Sequence, residues 1–158
     1  MKPMLKVGVV IGVLCAGWQV VMVSAGWLTN PSTFKLFYLV ILIQIAVLFW
    51  GLKQTAAQKG YGGQLLAGTG ASLVAGVFLF AFSLILTTVL FPNLIAQMKS
   101  MQTQELQNAG QSKEQIETML ALQTPLIQAA QGLLGTVATG FLASLIFAMF
   151  LRKKSPIL

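Results

Sequence analysis

The chain has 158 residues, 56% of them hydrophobic and 8% charged, with ten Lys and Arg against three acidic residues for a net charge of +7. Soluble domains carry roughly 25% charged residues, so water is not the main solvent of this fold. With no histidine and a single cysteine, Cys15, the common zinc constellations and an intramolecular disulfide are excluded, and the basic residues flank apolar runs without interleaved aromatic stacking platforms, which argues against nucleic-acid binding.

All thirteen charged side chains lie outside four apolar stretches, Val7 to Leu28, Leu36 to Leu52, Leu65 to Leu90 and Leu133 to Leu151. A Lys, Arg or Asp at a helix centre costs about 2.5 to 3.5 kcal/mol on insertion scales, so charge-free runs of this length are what a bilayer selects. The first span, residues 7–28, follows Lys2 and Lys6 and ends near Trp27, an interfacial anchor. Val23-Ser24-Ala25 could close a cleavable signal peptide, but the run exceeds the roughly 7 to 15 residues of a signal core, and an uncleaved helix is expected. Gly8, Gly12 and Ala16 give it a small-residue stripe, Gln19 is its most polar side chain, and Cys15 reads as a small buried hydrophobe.

Thr29 to Thr33 is a short turn into the second span, residues 36–52, which reaches about 26 Å at 1.5 Å per residue and carries aromatic anchors at both ends. Its side chains are bulky apart from Gln44, so it is expected to face lipid while the first, third and fourth helices pack closely. The connection Lys53 to Gln64 contains Gly60-Tyr61-Gly62-Gly63, read as a flexible turn with Tyr61 at the lipid interface; its spacing is not that of a phosphate-binding loop. The third span, residues 65–90, bears Gly68, Ser72 and Gly76 at four-residue spacing and ends or kinks before Pro92, which lacks the donor a continuing helix needs.

The segment 93–124 is the substantial water-facing region, predicted as two helices. The first covers about Leu94 to Asn108; the second starts at Ser112, an N-cap with Gln115 three residues on. Met98, Met101 and Met119 could offer thioether ligands to Cu(I), but they equally fill apolar stripes, and no metal or other cofactor is expected. Thr124-Pro125 reads as N-cap and first residue of the fourth helix, spanning 126–151, where Gly132, Thr136, Gly140 and Ser144 continue the longest small-residue face in the chain.

These readings give an all-α, polytopic membrane protein, a single domain over 1–158 with four transmembrane helices and an external helical hairpin between helices three and four. Lys2, Lys6, Lys53, Lys59, Arg152, Lys153 and Lys154 lie on one side; Lys35, Lys99 and Lys113 lie on the other with Glu105, Glu114 and Glu117. By the positive-inside rule both termini are cytoplasmic. The chain contains no nucleophile and base pair and no ionisable group inside a span, so neither catalysis nor a proton relay is expected.

The order of elements resembles the bacterial membrane family catalogued as domain of unknown function 4199: Gly51-Leu52, Tyr61-Gly62-Gly63 leading to Gly68, Ser112-Lys113-Glu114-Gln115-Ile116-Glu117, Pro125 and Arg152-Lys153-Lys154. The resemblance covers nearly the whole chain and implies a four-helix protein of the bacterial inner membrane, without catalytic residues or a substrate. The expected role is non-enzymatic: assembly or partner contact, with the bilayer as surroundings and another membrane protein or a second copy as partner. The small-residue stripes are expected to pack within the chain, a homo-oligomer interface being the other use. A small transporter or channel-like subunit with a pore near Gln19 or Gln44 is the alternative function.

Overall fold

The computed structural model describes residues 2–151, the side chain of Lys2 apart, so the basic cluster Arg152-Lys153-Lys154 lies outside the described residues. Helix α1 (Lys2–Ser24) stops short of the predicted Leu28 because Gly26 takes the left-handed region at φ 69°, after Ala25 and Gly26 close the last turn on the carbonyls of Val21 and Val23. A 3₁₀ turn (Trp27–Thr29) follows. Asn30 then caps the short α2 (Pro31–Phe34), its side chain accepting from the Ser32 amide at 3.0 Å ahead of a proline at the first helical position.

A second 3₁₀ turn (Lys35–Tyr38) leads into α3 (Leu39–Thr55), and Trp18 donates from Nε1 to the Leu36 carbonyl at 3.1 Å, tying α1 to this entry. Helix α4 (Tyr61–Ile85) corrects the reading of Gly60 to Gly63 as a flexible turn. Only Gly60 is extended, as the N-cap residue; Tyr61, Gly62 and Gly63 form the first helical turn. The helix widens into a π-helical turn (Leu86–Leu90), in which Phe91 donates to the Leu86 carbonyl at 2.8 Å and the hydroxyls of Thr87 and Thr88 bond back to Ser83 and Leu84. Beyond Pro92 come α5 (Leu94–Asn108) and α6 (Lys113–Ala121). Gly110 (φ 79°) separates them, and Ser112 and Gln115 exchange both bonds of a capping box. Thr124 accepts from the Ile127 amide at 3.2 Å to start α7 (Pro125–Leu151).

Four helical runs, Pro3–Ser24, Pro31–Thr55, Tyr61–Leu90 and Pro125–Leu151, are long and apolar enough to cross a membrane. They form a ring in which α4 packs against α1 and α7, and α3 closes the far side against the same two helices. The expectation of closer packing among α1, α4 and α7 holds, since α4 packs most extensively on those two helices, but α3 does not only face lipid. Helix α3 is the least buried of the four spans, yet Leu48 and Leu52 are fully buried in the main core beside Val7, Ile11, Ala71 and Ala75. A space-filling edge of Leu, Gly and Thr every three or four residues is enough to seat it. A second cluster, Met22, Leu28, Leu86 and Leu94, lies where α5 covers the opposite end of the bundle from the termini.

Candidate binding cavity

Small residues decide where the helices touch. Where only van der Waals packing draws helices together in lipid, backbones must approach closely, and Gly and Ser permit it. Gly140 of α7 meets the Ser72 side chain of α4, and Gly68 of α4 meets the Ser144 side chain of α7, so the two stripes interlock as a reciprocal pair. Ser144 keeps its hydroxyl satisfied on the Gly140 carbonyl at 2.6 Å. Gly76 continues the seam more loosely, where an added Cβ would stand 3.3 Å from the Leu133 carbonyl. On the other flank of α4, Gly8 of α1 faces the Ala71 carbonyl and Val74, Gly12 faces Phe78, and Ala16 is buried.

Gly132 departs from this pattern. Although it stands in the same four-residue series as Thr136, Gly140 and Ser144, an added Cβ there meets nothing within 4 Å, and the same holds for Gly135. Gly132 is thus corrected from a packing residue to a wall residue. Two packing residues escaped the sequence reading. Gly51 of α3 receives Val7, to which an added Cβ would approach within 2.6 Å. Gln64, taken as the end of a loop, is fully buried in α4; its Oε1 accepts from the Thr55 hydroxyl at 3.0 Å and its Nε2 donates to the Leu52 carbonyl at 3.2 Å, clasping α3 to α4 beside their connection. A lone glutamine directly ahead of an apolar run was the available signal.

Where α7 turns away from α4, a half-open cavity of about 830 Å³ opens between α3, α4 and α7, with α5 and α6 over its mouth. Such a volume lies within the range of small-molecule sites, roughly 300 to 1,000 Å³. Along α7 it runs from Ile127 to Thr139, roughly 18 Å at 1.5 Å per residue. The walls are mostly apolar, with Phe37, Ile41 and Leu86 typical, but six glutamines line it: Gln19, Gln44, Gln102, Gln123, Gln128 and Gln131.

Gln44 forms the floor. It is 2% exposed, and its Nε2 donates to the Thr136 carbonyl at 2.7 Å, joining α3 to α7 where the seam begins. Its Oε1 has no protein partner among the described residues. Gln19 is half-buried and lines the wall without a side-chain hydrogen bond among the described residues, so of the two mid-span glutamines Gln44 alone makes an interhelical bond there. At the mouth, Gln123 donates to Gln102 and leaves its own Oε1 buried and unpartnered, while Gln128 donates to the Met98 sulfur at 3.8 Å. The methionines predicted as stripe fillers occupy that role at Met98 and Met101, and Met119 is exposed at the cavity rim. Among the described residues no group of three His, Cys, Asp or Glu stands together to hold a metal ion.

Four long apolar helices arranged as a ring place the chain in the class of multi-pass α-helical membrane proteins. The model of a family described as protein of unknown function (DUF4199) matches residues 6–153, and the chain belongs to that family. Comparison with curated proteins and with solved structures gave no match.

Proposed function

We propose that the protein is a non-enzymatic membrane component that binds an amphipathic ligand in the cavity beneath α5 and α6. The observation that carries this reading is the blind end of the cavity. Below Gln44 and Thr136 the interior closes through Gly140 against Ser72, Gly68 against Ser144, and the buried Leu48 and Leu52. A cavity whose interior closes below its floor suits holding a ligand better than conducting one, which weighs against the channel-like alternative. The small-residue faces, whose other use would be a homo-oligomer interface, are largely filled within the chain, and this shifts recognition toward the cavity and its α5–α6 cover.

In the proposed topology the termini end faces the cytoplasm of a bacterial inner membrane, because seven of the ten basic residues lie there, while α5 and α6 form the external helical pair. Cysteines placed at Gln58 and Gln104 in a Cys15→Ser background should react with an impermeant thiol reagent from opposite sides; the same side for both would reject this topology.

Binding is tested with the full chain reconstituted in phosphatidylcholine vesicles and a photoactivatable long-chain fatty alcohol. Label should appear on cavity-wall peptides of α5 and α7 and fall to the level of lipid-facing Leu142 and Phe150 in Gly132→Trp. Met98→Trp fills the same space from α5 and provides a second reading if the first variant misfolds. Cavity labelling that neither tryptophan reduces would defeat the binding function.

A further inference from the structure

The cavity differs in charge from the protein that contains it. The chain carries +7, yet among the described residues no Lys or Arg lines the cavity, and Glu105 at the mouth is its one carboxylate. An anionic head would find no cation there and would sit beside that carboxylate; an ammonium would have a single, exposed partner. Glutamine amides both donate and accept, and they suit an uncharged head rich in hydroxyl or amide groups.

Polar groups are also present at the far end. Gln44 is nine-tenths buried and more, its Nε2 is held by Thr136, and its Oε1 has no partner at the floor. A second unpartnered acceptor, Gln123 Oε1, lies at the mouth. A plain hydrocarbon tail supplies a donor to neither acceptor, and for the buried Gln123 Oε1 the missing donor is unfavourable. Between Gln128 at the mouth and Thr136 at the floor the α7 wall runs about 12 Å, and Ile41, Leu79 and Leu86 make the lining largely apolar.

We infer that the cavity takes an uncharged, bipolar amphiphile: a single chain with hydrogen-bonding groups at both ends, one donating to Gln44 Oε1 and the other held among Gln102, Gln123, Gln128 and Gln131. This rests on the binding function proposed above. Recognition at the floor selects for the distal hydroxyl, and the neutral mouth selects against charge.

Three photoactivatable probes of equal chain length separate the parts: an α,ω-diol, the corresponding fatty alcohol, and the ω-hydroxy fatty acid, each in phosphatidylcholine vesicles with the full chain. The diol should label the cavity peptides about fivefold more than the alcohol, one hydrogen bond's worth, and about tenfold more than the hydroxy acid. Gln44→Leu should bring the diol down to the alcohol without lowering the alcohol, a change that general loss of structure would not produce. Equal labelling by diol and alcohol, or by diol and acid, overturns the inference. If Gly132→Trp and Met98→Trp still abolish labelling in that case, ligand binding stands and only its chemistry is wrong; if they change nothing for any probe, the binding function falls as well.

Discussion

The two halves of the α4–α7 pair use the same residue types and reach opposite outcomes. Toward the termini, Gly68, Ser72, Gly140 and Ser144 interlock until no space remains; toward α5, Gly132 and Gly135 meet nothing and the helices part around a cavity. A small residue permits close approach but does not cause it. What differs is the partner: Gly68 and Gly140 each have a serine of the facing helix seated on them, whereas Gly132 and Gly135 line the cavity.

Substitutions along the pair should expose that difference, read as the unfolding midpoint in mild detergent by tryptophan fluorescence. The largest effect is expected at Gly140→Leu, where the new side chain must displace Ser72 and Gln44; overpacking of this kind costs about 1 to 3 kcal/mol or more. A variant as stable as the parent would show that the seam is not close-packed. Gln64→Leu should follow, at about 1 to 2 kcal/mol, since it removes both α3–α4 hydrogen bonds of the clasp and leaves the Thr55 hydroxyl only its bond to the Leu52 carbonyl. Pairing it with Thr55→Val in a double-mutant cycle should show strong coupling, and additive losses would mean that the clasp does not act as a unit. Gln44→Leu removes one interhelical bond and should cost about 0.6 kcal/mol, with about 1.7 as the upper end for membrane helices. Gly132→Ala should be the mildest, neutral or stabilising by up to about 1 kcal/mol through helix propensity, because an added methyl has open space there. A loss equal to that of Gly140→Leu would erase the distinction between seam and cavity.

The four spans were legible because charge is excluded from them, and the starts of α6 and α7 were legible because Ser112 with Gln115, and Thr124-Pro125, carry their caps in local sequence, whereas the Asn30-capped α2 lies in what read as a turn. Pairing across the bundle was not. Gly51 looked like one glycine in a bulky helix, and only the fold shows Val7 seated on it. Gln64 looked like a loop residue because the glycines before it suggested a turn, yet Gly62 and Gly63 are helical once packing on α3 and α7 is available. Gly132 was misread for the converse reason: an i, i+4 series describes one face of one helix and says nothing of how far the neighbour follows it. Gln19 and Gln44 were visible as polar exceptions, but the cavity they share is lined from α1, α3, α4, α5, α6 and α7, a juxtaposition that no local pattern encodes.

The π-helical turn at Leu86–Leu90 holds one more residue than an α-helical turn would. Its residue count sets the phase of everything that follows. Deleting Val89 would retract Pro92 by about 1.5 Å and rotate the departure of α5 by roughly 100° about the α4 axis. Leu94 would then leave the Met22 and Leu28 cluster, and the cover over the cavity would point elsewhere. The mouth of the site is thus aimed by a count of residues in one turn as much as by any side chain within it.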